Sequence, residues 1–174
     1  VRGGEESAPS RWPAGKRYAF AVSHDVDTGA GLKRVPELAD FEERLGLSAT
    51  WFLLARRYAV DDGLLDRLRQ AGHAIALHGD DHDNRIAYAR RARMAARLAS
   101  CSRFVARHAV QGFRSPSLLE TPLLREVLAG SFGYTSQIPD TETQALSAPR
   151  CGCVTCFPFV KQGLLELPIT LPLE

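Results

Sequence analysis

No run in this 174-residue sequence approaches the ~18 consecutive apolar residues of a membrane-spanning helix, so a bilayer-crossing segment is not expected. The beginning, Val1-Arg2-Gly3-Gly4-Glu5-Glu6, lacks a basic stretch leading into an apolar one. No secretory signal is read there, and localisation stays open with the cytoplasm favoured by default. Nor does one sign of charge prevail: 22 Lys and Arg stand against 20 Asp and Glu, and a net charge of +2 is too small to demand nucleic acid or an anionic membrane as partner. Arg90, Arg93, Arg97 and Arg107 share one predicted helix face, but only Tyr88 and Phe104 are interleaved as stacking platforms, so that face is expected to be solvated. Cysteine is scarce and unevenly placed. Cys151, Cys153 and Cys156 crowd together while Cys101 stands alone, which is neither a spread disulfide framework nor a self-evident four-ligand zinc site.

What remains is an ordinary globular composition, 45% hydrophobic and 24% charged, at a length suited to one domain of ~100–200 residues. Residues 1–16 read as an extended lead-in and 17–174 as the domain. Short apolar runs at 17–22, 49–54, 73–78, 111–114, 133–136 and 164–168 read as strands. Between them, residues 35–45, 64–71, 85–107 and 122–129 carry helical spacing. Leu38, Phe41 and Leu45 form one stripe, and Met94, Leu98, Cys101, Val105 and His108 form another. Strands alternating with helices imply parallel pairing and an α/β layered fold or barrel, in which binding residues gather at the C-terminal ends of strands.

Polar residues obey that rule. His78-Gly79-Asp80-Asp81-His82 is an H-x-x-x-H pair that can bring two imidazoles to one side, and a carboxylate added to them makes a three-ligand set with positions open for water and substrate. A solvated pair is the commoner reading of such spacing. Ser23-His24-Asp25-Val26-Asp27 supplies two carboxylates that can divide the work of ligand and base. A polar turn or helix N-cap would use the same residues.

Taken with Phe113-Arg114-Ser115-Pro116, these segments resemble the polysaccharide deacetylases, the NodB-homology or carbohydrate esterase family 4 group, over residues 18–172. The resemblance implies a distorted or incomplete (β/α) barrel. It assigns Asp25 as catalytic base, Asp27, His78 and His82 as metal ligands, Arg114 as the residue orienting Asp25, and Pro116 and Tyr134 to the substrate site. It further implies one divalent cation, zinc by default with cobalt or nickel compatible, and an acetylated saccharide or glycan precursor as substrate. Two departures stand out. Tyr134-Thr135-Ser136-Gln137 replaces a Tyr-Asp-Ser-Ser pattern, removing a carboxylate expected near the arginine, and the family's closing Leu-x-His has no counterpart. The C-terminal part of the domain is therefore expected to be missing, hydrolysis to be slow, and the leaving-group acid has no residue assigned. His24 and His73 are expected to be structural, and His108 to follow the wrong helix. Two other readings stay open: a catalytically impaired glycan- or metal-binding module of the same fold, and a metal hydrolase of a small non-carbohydrate amide. Oligomeric state is not addressed by the sequence.

Overall fold

The computed structural model describes residues 16, 18–140, 153 and 155–170. The lead-in at 1–15, Arg17, Cys151 and residues 171–172 lie outside them. Strand β1 (Val22–Val26) begins a seven-stranded sheet that continues through β2 (Ala49–Leu53), β3 (Ala74–Leu77), β4 (Gly112–Phe113), β5 (Tyr134–Thr135) and β7 (Leu164–Glu166) to β6 (Phe159–Lys161). Every neighbouring pair is parallel except β6 with β7. Parallel neighbours need long crossovers. Helices α1 (Gly29–Arg44), α2 (Asp62–Gln70), α3 (Arg91–Ser100), α4 (Ser102–Arg107) and α5 (Pro122–Ala129) lie in those connections. Strands β1 and β6 are the two edges among the described residues, so the fold is an open, incomplete (β/α) barrel. No described helix is long and apolar enough to cross a membrane.

The first strand lies further along the chain than its apolar run suggested. Val22 pairs with Ala49 and Val26 with Leu53, so the ladder passes through the polar cluster, while Tyr18 and Phe20 precede it and are exposed. Pairing with β2, not local apolarity, sets the boundary. Helix α1 also starts earlier than predicted, because the Thr28 hydroxyl accepts from the Gly31 amide at 3.0 Å and caps it. Its buried face is Val35, Ala39 and Glu42, and the predicted stripe of Leu38, Phe41 and Leu45 is instead exposed. The long helix predicted at 85–107 is a 3-10 turn (Ile86–Tyr88) followed by α3 and α4, divided at Cys101. Strand β6, absent from the sequence reading, joins β7 through Gln162 and Gly163, whose φ angles of 51° and 77° suit a tight hairpin.

Trp51, Leu53, Leu65, Leu68, Leu77, Met94, Phe113, Leu124 and Leu128 form one core between sheet and helices. Each large side chain buried there contributes about 1.5–3 kcal/mol of transfer free energy. A polar knot lies beside it. Arg125, fully buried, donates to Glu120 and, at 2.7 Å, to Glu166, which also accepts from the amides of Gln137 (2.7 Å) and Ile138 (3.0 Å). This ties α5, β7 and the segment after β5 together.

Cys101 is buried in the core, and Cys101, Cys153 and Cys156 are all free thiols. Burial, with the Asp80 charge adding to it, pushes the Cys101 thiol up to about 11. At pH 8 iodoacetamide is therefore expected to label exposed Cys156 within minutes and to leave Cys101 untouched until the protein is unfolded in urea. Peptide mass spectrometry distinguishes them, and equal labelling rates would contradict the placement.

Candidate metal centre

Alternate residues of a strand face opposite sides. Ser23 and Asp25 of β1 share a face with Arg114 and Ser136, which follow β4 and β5, whereas His24 and Val26 turn toward α1 and the core. Asp27 follows β1 directly, and His78 follows β3. His82 comes from the irregular turn beyond. That turn needs Gly79: its φ is +97°, and a side chain there would also come within 3.4 Å of the Pro116 ring.

Asp27, His78 and His82 each offer a ligand atom, and these atoms lie within 4.8 Å of one another. His78 Nε2 is 3.2 Å from Asp27 Oδ1, and His82 Nε2 is 3.6 Å from Asp27 Oδ2. His78 Nδ1 lies 2.9 Å from the Arg114 carbonyl oxygen. A carbonyl only accepts, so Nδ1 carries the proton and, in the neutral ring, the Nε2 lone pair is aimed at the Asp27 carboxylate. Two lone pairs brought this close require a shared cation or a second proton between them. The nitrogen, nitrogen and oxygen donors fit a divalent transition metal. With that second proton on the imidazole, the Asp27 carboxyl is held below its ordinary range, chiefly by the His78 hydrogen bond and further by the charges of His78 and His82, against the opposing effect of burial.

Asp25 stands beside this group. Its Oδ1 accepts from Arg114 Nη1 at 2.8 Å, and its Oδ2 is 3.9 Å from His78 Nε2. Arg114 is itself immobilised: Nε donates to the Ser136 carbonyl at 2.6 Å, Nη2 donates to the hydroxyls of Ser136 (2.8 Å) and Ser23 (2.9 Å), and the guanidinium lies 4.1 Å from the centroid of the Phe52 ring. Thr135, where a carboxylate was expected, points away. Its hydroxyl donates to Glu166 at 2.6 Å on the other face of the sheet, so Arg114 is held by Ser136 and Ser23 instead.

The remaining sequence candidates are placed differently. Pro116 is buried and packs against Gly79 at the root of the His78 turn. Tyr134 does not join the group: its ring covers Gly112, and it lines a cleft with His73, His108 and Gln111 near the N-terminal ends of the strands. The other histidines also face elsewhere. His24 bonds with Glu42 at 2.6 Å and stacks on Trp51. His73 Nδ1 accepts from the Ala49 amide and from Trp51, and His108 is buried against Asp62. Sequence reasoning missed Ser23, Ser136 and Tyr58. The Tyr58 hydroxyl donates to the Val26 carbonyl at 2.5 Å and accepts from the Leu54 amide at 3.1 Å, fastening the ends of β1 and β2 next to Asp27. Burial, together with the Asp27 charge, pushes its phenol up to about 12, keeping it a neutral donor. Strand alternation from Asp25 could have flagged Ser23, whereas Ser136 faces Arg114 only through the β4–β5 register and nothing local marks Tyr58.

A family model described as polysaccharide deacetylase matches residues 15–135. No curated protein sequence matches the chain. Among solved structures, a Mycobacterium smegmatis protein of the polysaccharide deacetylase type is 23% identical with a TM-score of 0.69, over 94% of this chain and 63% of that one. Puue allantoinase is 17% identical with a TM-score of 0.59, over 79% of this chain and 43% of its own length. A family 4 acetyl xylan esterase from Clostridium thermocellum, in complex with a cobalt ion, is 20% identical with a TM-score of 0.52, over 68% and 57%. At these identities the likeness establishes a shared fold, and the chain spans less than two thirds of each of these three proteins.

Proposed function

This chain belongs to the polysaccharide deacetylase family, and from that premise we propose that it is a metal-dependent hydrolase removing N-acetyl or O-acetyl groups from a saccharide or glycan precursor. The observation that carries the proposal is one carboxylate, Asp25, held with an oxygen 3.9 Å from His78 Nε2 and beside the convergent Asp27, His78 and His82. Those three would hold one divalent cation, zinc by the character of the donors, with cobalt or nickel compatible. When bound, such a cation polarises an acyl oxygen and lowers the pKa of water.

The chain's own residues supply the rest. Arg114 fixes Asp25 through Oδ1, which leaves Oδ2 to take the proton from attacking water. Because Ser23, Ser136 and Phe52 hold the guanidinium, the base is oriented before substrate arrives. Replacing Asp25 with Asn preserves shape and removes the basic oxygen. Turnover of acetylated chitooligosaccharide is expected to fall ~10²–10⁴-fold while metal content is unchanged. Full activity in that variant would eliminate Asp25 as the base.

One observation favours a second reading, a binding module with impaired turnover. Among the described residues no histidine other than His78 and His82 faces this group, so no imidazole is in place to protonate a leaving amine. Saturable binding of the same oligosaccharide without release of acetate would select this alternative.

A further inference from the structure

We infer that Arg97 is a positioning residue for the metal centre, clamping both ends of the turn that carries His82. The inference rests on the reading of Asp27, His78 and His82 as cation ligands. The two imidazoles are supported very differently. His78 extends β3, its amide donates to the Leu53 carbonyl at 2.7 Å, and its ring is bonded to the Arg114 carbonyl. His82 has no strand or helix beneath it. Residues 79–84 form an irregular turn entered and left through positive φ angles, +97° at Gly79 and 57° at Asn84. Amides of Ala55 and Arg56 donate to the carbonyls of Gly79 and Asp80, which secures only the first half. Beyond Asp80, Asp81 accepts from the His82 amide at 2.8 Å, a bond within the turn itself, and the bonds that leave the turn from Asp81 and Asn84 are exposed ones, to Arg57 and Ser117.

Arg97 reaches across from α3 to close this gap. Its Nε donates to Asp80 Oδ1 and Oδ2 (2.8 and 3.0 Å), and its Nη2 donates to Asp80 Oδ1 (2.5 Å). The other edge of the same guanidinium donates to Asp83 Oδ1 (2.9 Å) and Oδ2 (3.1 Å). The two carboxylates flank Asp81 and His82, so a single planar fork sets the span between the turn's ends. An ammonium has no such fork. The side chains of Asp80 and Arg97 are only 7% and 10% exposed, and the next cation, Arg56, is 4.0 Å from Asp80. Without Arg97 a buried carboxylate loses its pairing, and the turn must open to hydrate it, carrying His82 away from Asp27. The sequence reading placed Arg97 on a solvated face. Its role is visible only once α3 is packed beside the turn.

Cobalt(II) binding to the whole chain tests this, with affinity, the visible ligand-field spectrum and metal-free thermal stability measured for each variant. Arg97→Ala and Arg97→Lys are expected to bind ~10–100-fold more weakly, the range for losing a partner outside the ligand set, with a spectrum altered by the loss of one nitrogen ligand. Asp83→Asn should shift both in the same direction by less. Arg91→Ala, a substitution on the same helix as Arg97 that removes an exposed pair with Glu126 of α5, should match wild type. Should Arg97→Ala fail to fold, Arg97→Lys and Asp83→Asn decide. Folded Arg97 variants with wild-type affinity and spectrum, or weaker affinity with an unchanged spectrum at saturation, would overturn the clamp while leaving the metal centre standing. A wild-type chain that binds no cobalt would defeat the metal centre and the clamp together.

Discussion

A protein carrying both His78→Ala and His82→Ala is expected to bind neither zinc nor cobalt and to show no hydrolysis above background. The two substitutions leave Asp27 as the only ligand of the trio, and one exposed carboxylate does not hold a transition metal against water. The loss should exceed the ~10–100-fold that removal of an outer hydrogen-bond partner costs. Metal analysis after dialysis reads the first effect and acetate release the second. His82→Ala alone should be milder in its effect on the fold, because His78 is bonded to the Arg114 carbonyl whereas His82 is partly exposed on its turn. A double variant that retained stoichiometric metal would show that the cation, if bound, sits elsewhere.

Replacing Glu166 with Ala is expected to destabilise the fold by about 3–5 kcal/mol, the cost of removing one partner from a buried ion pair. Against a domain stability of about 5–15 kcal/mol, this should move the urea midpoint far or leave the chain unfolded. Glu166 is fully buried, and its loss removes the acceptor of two backbone amides, takes from Arg125 its buried partner and leaves the Thr135 hydroxyl only a 3.4 Å contact with the Leu165 carbonyl as acceptor. Glu120 also pairs with Arg125 but is less buried and makes none of those backbone contacts, so Glu120→Ala should cost clearly less. The order of the two midpoints is the informative result. Equal, small shifts would mean that Glu166 is not what locks β7 to the segment following β5.

Several errors of the sequence reading share one physical origin. The phase of β1, the buried face of α1, the side to which Thr135 points and the partner of Arg97 all depend on which elements pair or pack. A change of one residue in strand phase exchanges the two faces. The stripe of Leu38, Phe41 and Leu45 has good helical spacing, yet Val35, Ala39 and Glu42 are the ones covered by the sheet. Strand β6 carries no buried apolar run, with Val160 and Lys161 exposed, and only its hairpin with β7 defines it. By contrast, α2 and α5 lie within two residues of the bounds expected from spacing, because local groups set where they begin: the Asp61 and Thr121 side chains accept from Gly63 and Leu124.

Residue type and spacing brought Asp25, Asp27, His78 and His82 forward as candidates and indicated alternating strands and helices, because such patterns act within a few positions along the chain; the family resemblance added Arg114 and the roles. Tertiary packing alone assigned Arg114 its serine partners, set Tyr134 apart from the ligands and brought Arg97 to Asp80 and Asp83. Those contacts join residues 14 to 91 positions apart, and their geometry follows from parallel register and helix docking, which no local pattern encodes.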